Sequence, residues 1–194
     1  MRILGAVDAL TRLALDARAG DERALETLVE VAYEQVWRLC ATLVDRQNAE
    51  DLAQETFVRA VRALPQFRGD ASARTWLLAI ARKTCLDELR ARTRCRRREA
   101  SLLRAARGEE PVAPDASQEV TVIDLVARLE PERRAAFVIT QMLGFSYEEA
   151  ASICECPSGT IRSRVARARA DLLVFLAEPS RNRRIAYPDH SSSA

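Results

Sequence analysis

Apolar residues recur along this chain at steps of three and four, the spacing of one face of an α-helix. Alternating Val/Ile/Thr runs, the mark of half-buried strands, are nearly absent. A short first helix is expected near residues 5–18, punctuated by Gly20-Asp21. Leu25, Leu28, Val29, Val31, Ala32, Val36, Leu39 and Leu43 then trace a long second helix. Asn48 opens a third, with Leu52, Phe57, Val61 and Leu64 near one face, and Pro65 stops it. After the loop PQFRGDAS, a fourth helix runs through Trp76, Leu77, Ile80, Ala81, Cys85, Leu86 and Leu89 into RARTRCRRR, six arginines in nine residues. Gly108, Pro111, Pro114 and Ser117 break the pattern, and a second helical block follows at 119–178. The expected fold is all-α: two small helical domains (1–96 and 119–178) joined by a flexible linker (97–118), with a disordered tail at 179–194.

Charge divides the chain further. Residues 21–58 carry nine acids against three bases, and 59–98 carry twelve bases against three acids. Residues 108–132 return to a net of −6, and 160–184 to +5. Two basic segments separated by acidic ones suggest two contacts with a polyanion and separate surfaces for proteins. Solvated helix faces would give the same pattern. Arginine supplies 29 of the 30 basic residues and Lys83 the remaining one, a bias that a GC-rich genome would also produce.

Several function classes have no support. There is no glycine-rich phosphate loop, no Cys/His nucleophile arrangement and no isolated carboxylate pair, so no catalytic residue and no cofactor are expected. Cys154 and Cys156 form a C-x-C, but no second pair or histidine lies at metal-binding spacing; His190 is the only histidine. Core thiols are the expectation, with no metal. No run approaches the roughly 18 apolar residues of a membrane span, and the N-terminus lacks a leader pattern. A cytoplasmic chain with reduced thiols, and no membrane insertion, is expected.

The most specific local signal is SYEEAASICECPSGTIRSRVARARADLL, residues 146–173. Ser146 and Glu149 form an S-x-x-E capping box, so a helix can start at Tyr147. Ala150, Ala151 and Cys154 give it a small apolar face that suits close approach of a second helix. Glu155-Cys156-Pro157 makes a short turn, and Ser158 is expected to cap a second helix with Ile161, Val165 and Ala168 inward. Thr160, Arg162, Ser163, Arg164 and Arg167 face outward. This is the pattern of a helix-turn-helix whose second helix enters the DNA major groove, where arginine can bind guanine O6 and N7. Glu155 sits where such turns often place glycine; a left-handed conformation there costs on the order of 1 kcal/mol.

Two stretches together resemble the extracytoplasmic-function sigma factors, the compact group of the sigma-70 family. Residues 51–92, DLAQETFVRAVRALPQFRGDASARTWLLAIARKTCLDELRAR, are similar to its region two. Residues 129–173 are similar to its region four. The resemblance implies a promoter-reading subunit of RNA polymerase rather than an enzyme. It implies that Asp51, Gln54 and Glu55 dock on the clamp helices of the polymerase largest subunit, with the beta flap as a further part of that partner. It also implies that the loop Phe67-Arg68-Gly69-Asp70-Ala71 captures a base flipped from the −10 element, with Arg59, Ala63 and Lys83 beside that pocket. Arg90, Arg94 and Arg97 would then meet phosphates. Ser158, Thr160, Arg162, Ser163, Arg164 and Arg167 would read the −35 element. Promoter DNA and core polymerase are the implied partners, with an anti-sigma factor as a further one that such proteins often have. Lys83 stands where many members carry Asn, and Thr140-Gln141-Met142 replaces a more usual Arg-Glu-Leu. A free-standing helix-turn-helix regulator is the alternative; it accounts for 146–173 and leaves residues 51–90 without a task.

Overall fold

The computed structural model describes residues 8–107 and 122–177. The start of the first expected helix, the latter half of the expected linker, the first residues of the second block and the tail lie outside them. Every described element is helical: α1 (Ala9–Arg18), α2 (Glu22–Leu43), α3 (Ala49–Ala63) with a 3₁₀ turn at Leu64–Gln66, α4 (Ala73–Arg107), α5 (Val122–Ala127), α6 (Pro131–Phe137), α7 (Tyr147–Cys154) and α8 (Ser158–Ala177).

Local chemistry explains the starts. The Asp8 carboxylate accepts from the Thr11 N–H, and that of Asp21 accepts from the Ala24 N–H. Both therefore satisfy a helix-end donor that would otherwise lack a partner. At α3 the work falls to Asp45, whose carboxylate accepts from the backbone N–H of Asn48 at 2.8 Å. The capping box of α7 is fully formed: the Ser146 hydroxyl accepts from the Glu149 N–H, and the Glu149 carboxylate accepts from the Ser146 N–H. Ser158 has a different place from the one expected. The Pro157 carbonyl accepts from Thr160 and Ile161, so the cap position falls on Pro157 and Ser158 is the first residue of α8. Helix α4 also continues through residues 97–107, well into the expected linker. That segment is rich in Arg, Ala and Leu, all strong helix formers, and in the sequence it runs up to Gly108.

In the first domain Leu28, Val36, Leu39 and Leu43 of α2 meet Leu52 and Phe57 of α3 and Leu77, Leu78 and Ala81 of α4. In the second, Ile139, Ile153, Ile161 and Val165 form the centre between α6, α7 and α8. Between α6 and α7 the chain winds one π turn at Val138–Met142, with the Leu143 N–H bonded to the Val138 carbonyl. Of the expected core thiols, Cys154 is buried and its thiol is pushed up to about 11 by that burial. Cys40 and Cys85 are buried as well, while Cys156 is only half-buried.

The two domains are packed together, α7 against α4 and α5 against α2, and their buried residues form one continuous cluster. The seam between them is unusually polar. The Glu132 carboxylate of α6 pairs with Arg82 of α4 and, at 3.2 Å, with Arg164 of α8. Arg134 reaches across to the Leu43 carbonyl at the end of α2 (2.7 Å) and also donates to the Leu129 carbonyl (3.0 Å). Its positive charge therefore faces the partly negative C-terminus of α2. Burial holds the Arg134 guanidinium below its ordinary range. Arg74 of α4 lies over the Phe145 ring at 4.0 Å.

Glu155 supplies the sharp turn after α7 with φ 51° and ψ 45°. It is the only non-glycine residue at positive φ among the described residues. Glu155→Gly is expected to raise the unfolding free energy by about 0.5–1 kcal/mol, the left-handed strain less the extra chain entropy of glycine. Urea titration would show this as a higher midpoint at unchanged slope. Glu132→Gln is expected to act on the seam instead. With the shared carboxylate gone, the mostly buried Arg82 loses its partner, and that cost is relieved if the domains part. Small-angle scattering should then report a larger radius of gyration while circular dichroism shows the same helix content.

Candidate nucleic-acid and polymerase interface

Helix α3 turns Leu52, Ala53, Thr56, Phe57 and Ala60 inward. Phe57 is fixed by stacking on Tyr33, with ring centroids 6.2 Å apart. That leaves Asp51, Gln54 and Glu55 together on the exposed side, as their i, i+3, i+4 spacing dictates. Val58 and Val61, each 44% exposed, carry the same helix surface onward with apolar side chains. Glu55 also pairs with Arg59 at 2.8 Å.

Arg59 ties this helix to the next. Besides Glu55 it binds Asp87 of α4 at 3.1 Å, and the Glu55 hydrogen bond is the foremost cause holding its guanidinium above its ordinary range. Lys83 is exposed one turn before Asp87, and Ala63 is half-buried at the end of α3. In the loop that follows, Arg68, Asp70 and Ala71 are exposed. Gly69 takes a left-handed φ of 76°, which glycine adopts without strain. Phe67 differs from the expectation that all five loop residues face DNA. It is buried, its ring 4.8 Å from that of Trp76, so it anchors the loop from inside.

The arginines in this part of α4 have different surroundings. Arg92 is half-buried between Asp45 (2.5 Å) and Glu88 (2.6 Å), an internal brace. Arg90, Arg94 and Arg97 are exposed. With Leu86, Leu89 and Thr93 they line an open groove of about 310 Å³, whose other wall is Glu130, Pro131 and Glu132.

In α8, Ile161, Val165 and Ala168 pack inward and Arg162, Ser163 and Arg167 are exposed. Arg162 stands over Tyr147, 6.0 Å from the ring centroid. Ser158 and Thr160 are half-buried at the start of the helix. Arg164 was expected among the outward residues; it is half-buried and turned into the seam, 3.2 Å from Glu132 and 3.6 Å from the Cys156 sulfur. Gln141 and Arg169 bond each other at 2.6 Å, and Thr140 is buried with its hydroxyl on the Ala136 carbonyl.

Sequence reasoning passed over Arg82, Glu132 and Arg134. A signal existed for the first: Arg82 lies four residues after Leu78 and three before Cys85, on the apolar stripe of α4, where an arginine needs a buried partner. Its partner, Glu132, lies fifty residues on and carries no mark of its own.

Comparison with known proteins agrees with this geometry. Residues 28–95 match the family model Sigma-70 region 2, and residues 120–172 match Sigma-70, region 4. The ECF RNA polymerase sigma factor SigC of Mycobacterium tuberculosis is 47% identical over 177 residues, covering 89% of this chain and 93% of that protein. The RNA polymerase sigma-H factor of Pseudomonas aeruginosa is 35% identical over 163 residues, covering 77% and 84%. Among solved structures, CnrH in complex with the cytosolic domain of CnrY superposes with a TM-score of 0.67 at 28% identity, covering 89% of this chain and all of that one. The sigma factor RpoE of Bartonella quintana, in complex with the anti-sigma factor NepR, gives 0.57 at 27% identity, covering 79% and 97%. With both matched regions in order along one all-helical chain, this protein belongs to the extracytoplasmic-function sigma factors of the sigma-70 family.

Proposed function

We propose that the chain binds core RNA polymerase through the exposed face of α3, reads the −10 element with the 67–71 loop and its neighbours, and reads the −35 element with α8. The observation that carries this reading is the coexistence, in one chain, of an exposed acidic and amide face, an anchored loop with exposed tips, and a helix-turn-helix with Arg162 and Arg167 exposed on its second helix. Asp51, Gln54 and Glu55 are the docking residues. Arg68, Gly69, Asp70, Ala71 and Lys83 form the −10 pocket with Arg59 and Ala63, held from below by Phe67. Arg90, Arg94 and Arg97 meet phosphates, which contributes affinity without base information. Arg162, Ser163 and Arg167, with Ser158 and Thr160 at the helix start, read the −35 bases, and Arg164 joins them once it leaves Glu132. The functional division is 1–96 for docking and the −10 element and 119–178 for the −35 element, with 97–118 between them. A free-standing regulator would leave the matched residues 28–95 without a role.

Promoter geometry adds a constraint. Elements centred roughly 25 base pairs apart are separated by about 85 Å of B-form DNA at about 3.4 Å per pair. Two readers packed on one core cannot span that distance, so the seam at Glu132 opens when both engage. The protein itself supplies no chemistry; strand opening belongs to the polymerase complex. Its place is the cytoplasm, where core polymerase works, and no described helix is long and apolar enough to cross a membrane. The RpoE structure holds an anti-sigma factor, and a protein of that class is the further partner this reading admits.

Asp51→Arg is the cleanest reversal on the docking face, because Glu55 already has Arg59 as a partner. It is expected to weaken binding to core polymerase with a change in folding stability of about 0.5 kcal/mol or less; a titration of labelled protein with core measures both the affinity and its loss. Arg162→Ala should cost roughly 1–3 kcal/mol at the preferred −35 element and much less on templates altered at the contacted base. Arg97→Ala should instead weaken all templates alike and reduce the salt dependence. Holoenzyme binding across a promoter library and a salt series separates the two; equal, sequence-blind losses would remove α8 as the base reader.

A further inference from the structure

Helix α1 lies before the stretch matched by the region 2 family model, which begins at residue 28. Yet one face of it contacts the 67–73 loop at both ends and in the middle. The Thr11 hydroxyl accepts a buried hydrogen bond of 2.8 Å from the backbone N–H of Ala73, the first residue of α4. The hydroxyl itself donates to the Asp8 carboxylate, also at 2.8 Å, and the same carboxylate accepts from the Thr11 N–H. Seven residues on, the Arg18 guanidinium donates to the carbonyl of Phe67 at 2.6 Å. Between them Leu15 lies under the loop, its Cδ2 3.7 Å from where a Cβ on Gly69 would stand. Positions 11, 15 and 18 are spaced i, i+4, i+7, one stripe of a helix. Thr11 is 4% exposed, an uncommon place for a threonine without a task.

We propose that α1 is part of the −10 reading unit, with Thr11 and Arg18 as positioning residues that fix the loop's backbone so that Arg68, Asp70 and Ala71 meet the DNA already in place. This rests on the reading of that loop as the −10 pocket. Capturing a flipped base costs a few kcal/mol of lost stacking, which the pocket must offset. A loop that first has to order itself offsets less, because ordering its backbone draws on the same binding energy. Both bonds go to main-chain atoms, so α1 sets the shape of the loop and leaves base choice to the exposed side chains.

The test uses holoenzyme assembled from the full chain and core polymerase. Opening is followed by 2-aminopurine fluorescence at the −10 element, on a duplex promoter and on the same promoter with the −10 bases already unpaired. Thr11→Val keeps the shape and removes the acceptor for the Ala73 N–H; it is expected to slow opening of the duplex about threefold to tenfold relative to the unpaired template. Taking the ratio of the two templates cancels any loss of active protein, which a purely structural role would produce equally on both. Thr11→Ser, which keeps the hydroxyl, is expected to restore the ratio. Arg18→Met, at an exposed position, gives the same readout without a core substitution. Asp70→Ala tests the loop itself. If it shifts the preferred −10 bases while Thr11→Val and Arg18→Met leave the ratio unchanged, α1 is not a positioning element. If Asp70→Ala and both α1 variants all leave opening and base preference unchanged, the loop is not the −10 pocket and the inference falls with it.

Discussion

Glu132 stands between two guanidiniums that belong to different domains. Arg82 comes from the long helix of the first and Arg164 from the last helix of the second. Without the carboxylate, two positive charges would face each other in a part-buried seam, and the packing of α7 on α4 would have to carry that repulsion. The other polar contacts follow the same logic: Arg134 places its charge on the end of α2, and Arg74 covers Phe145. A seam held this way differs from the apolar centres on either side. Its charged groups regain water when it opens, which offsets part of the cost of parting the apolar surfaces packed beside them.

Much of this structure can be read from the chain, because much of it is local. The three- and four-residue apolar steps mark α2, α3 and α4, and Ser146 with Glu149 marks the start of α7. The turn at Glu155-Cys156-Pro157 is marked too, and the structure adds the left-handed backbone at Glu155. What stays hidden depends on partners far away in sequence. Nothing near Arg82 announces Glu132, and nothing near Leu43 announces Arg134. Arg164 looks like its outward neighbours Arg162 and Arg167, and only tertiary packing turns it into the seam. The same holds for Phe67, whose place in the loop suggests exposure until Trp76 is seen beneath it. The length of α4 is hidden for another reason: an arginine-rich segment with few apolar positions shows little helical periodicity, so it reads much like a linker.

The way the 67–73 loop is held has a consequence for how such a protein can change over generations. Its ends are gripped through main-chain atoms, the Phe67 carbonyl by Arg18 and the Ala73 N–H by Thr11. Every residue type has those atoms, save the proline that lacks an N–H. The exposed side chains at 68, 70 and 71 can therefore be exchanged one at a time while the platform beneath them keeps its form. Under the proposed reading of this loop, gene duplicates can diverge in which sites they serve by altering these surface positions among others, with no repair of the interior required.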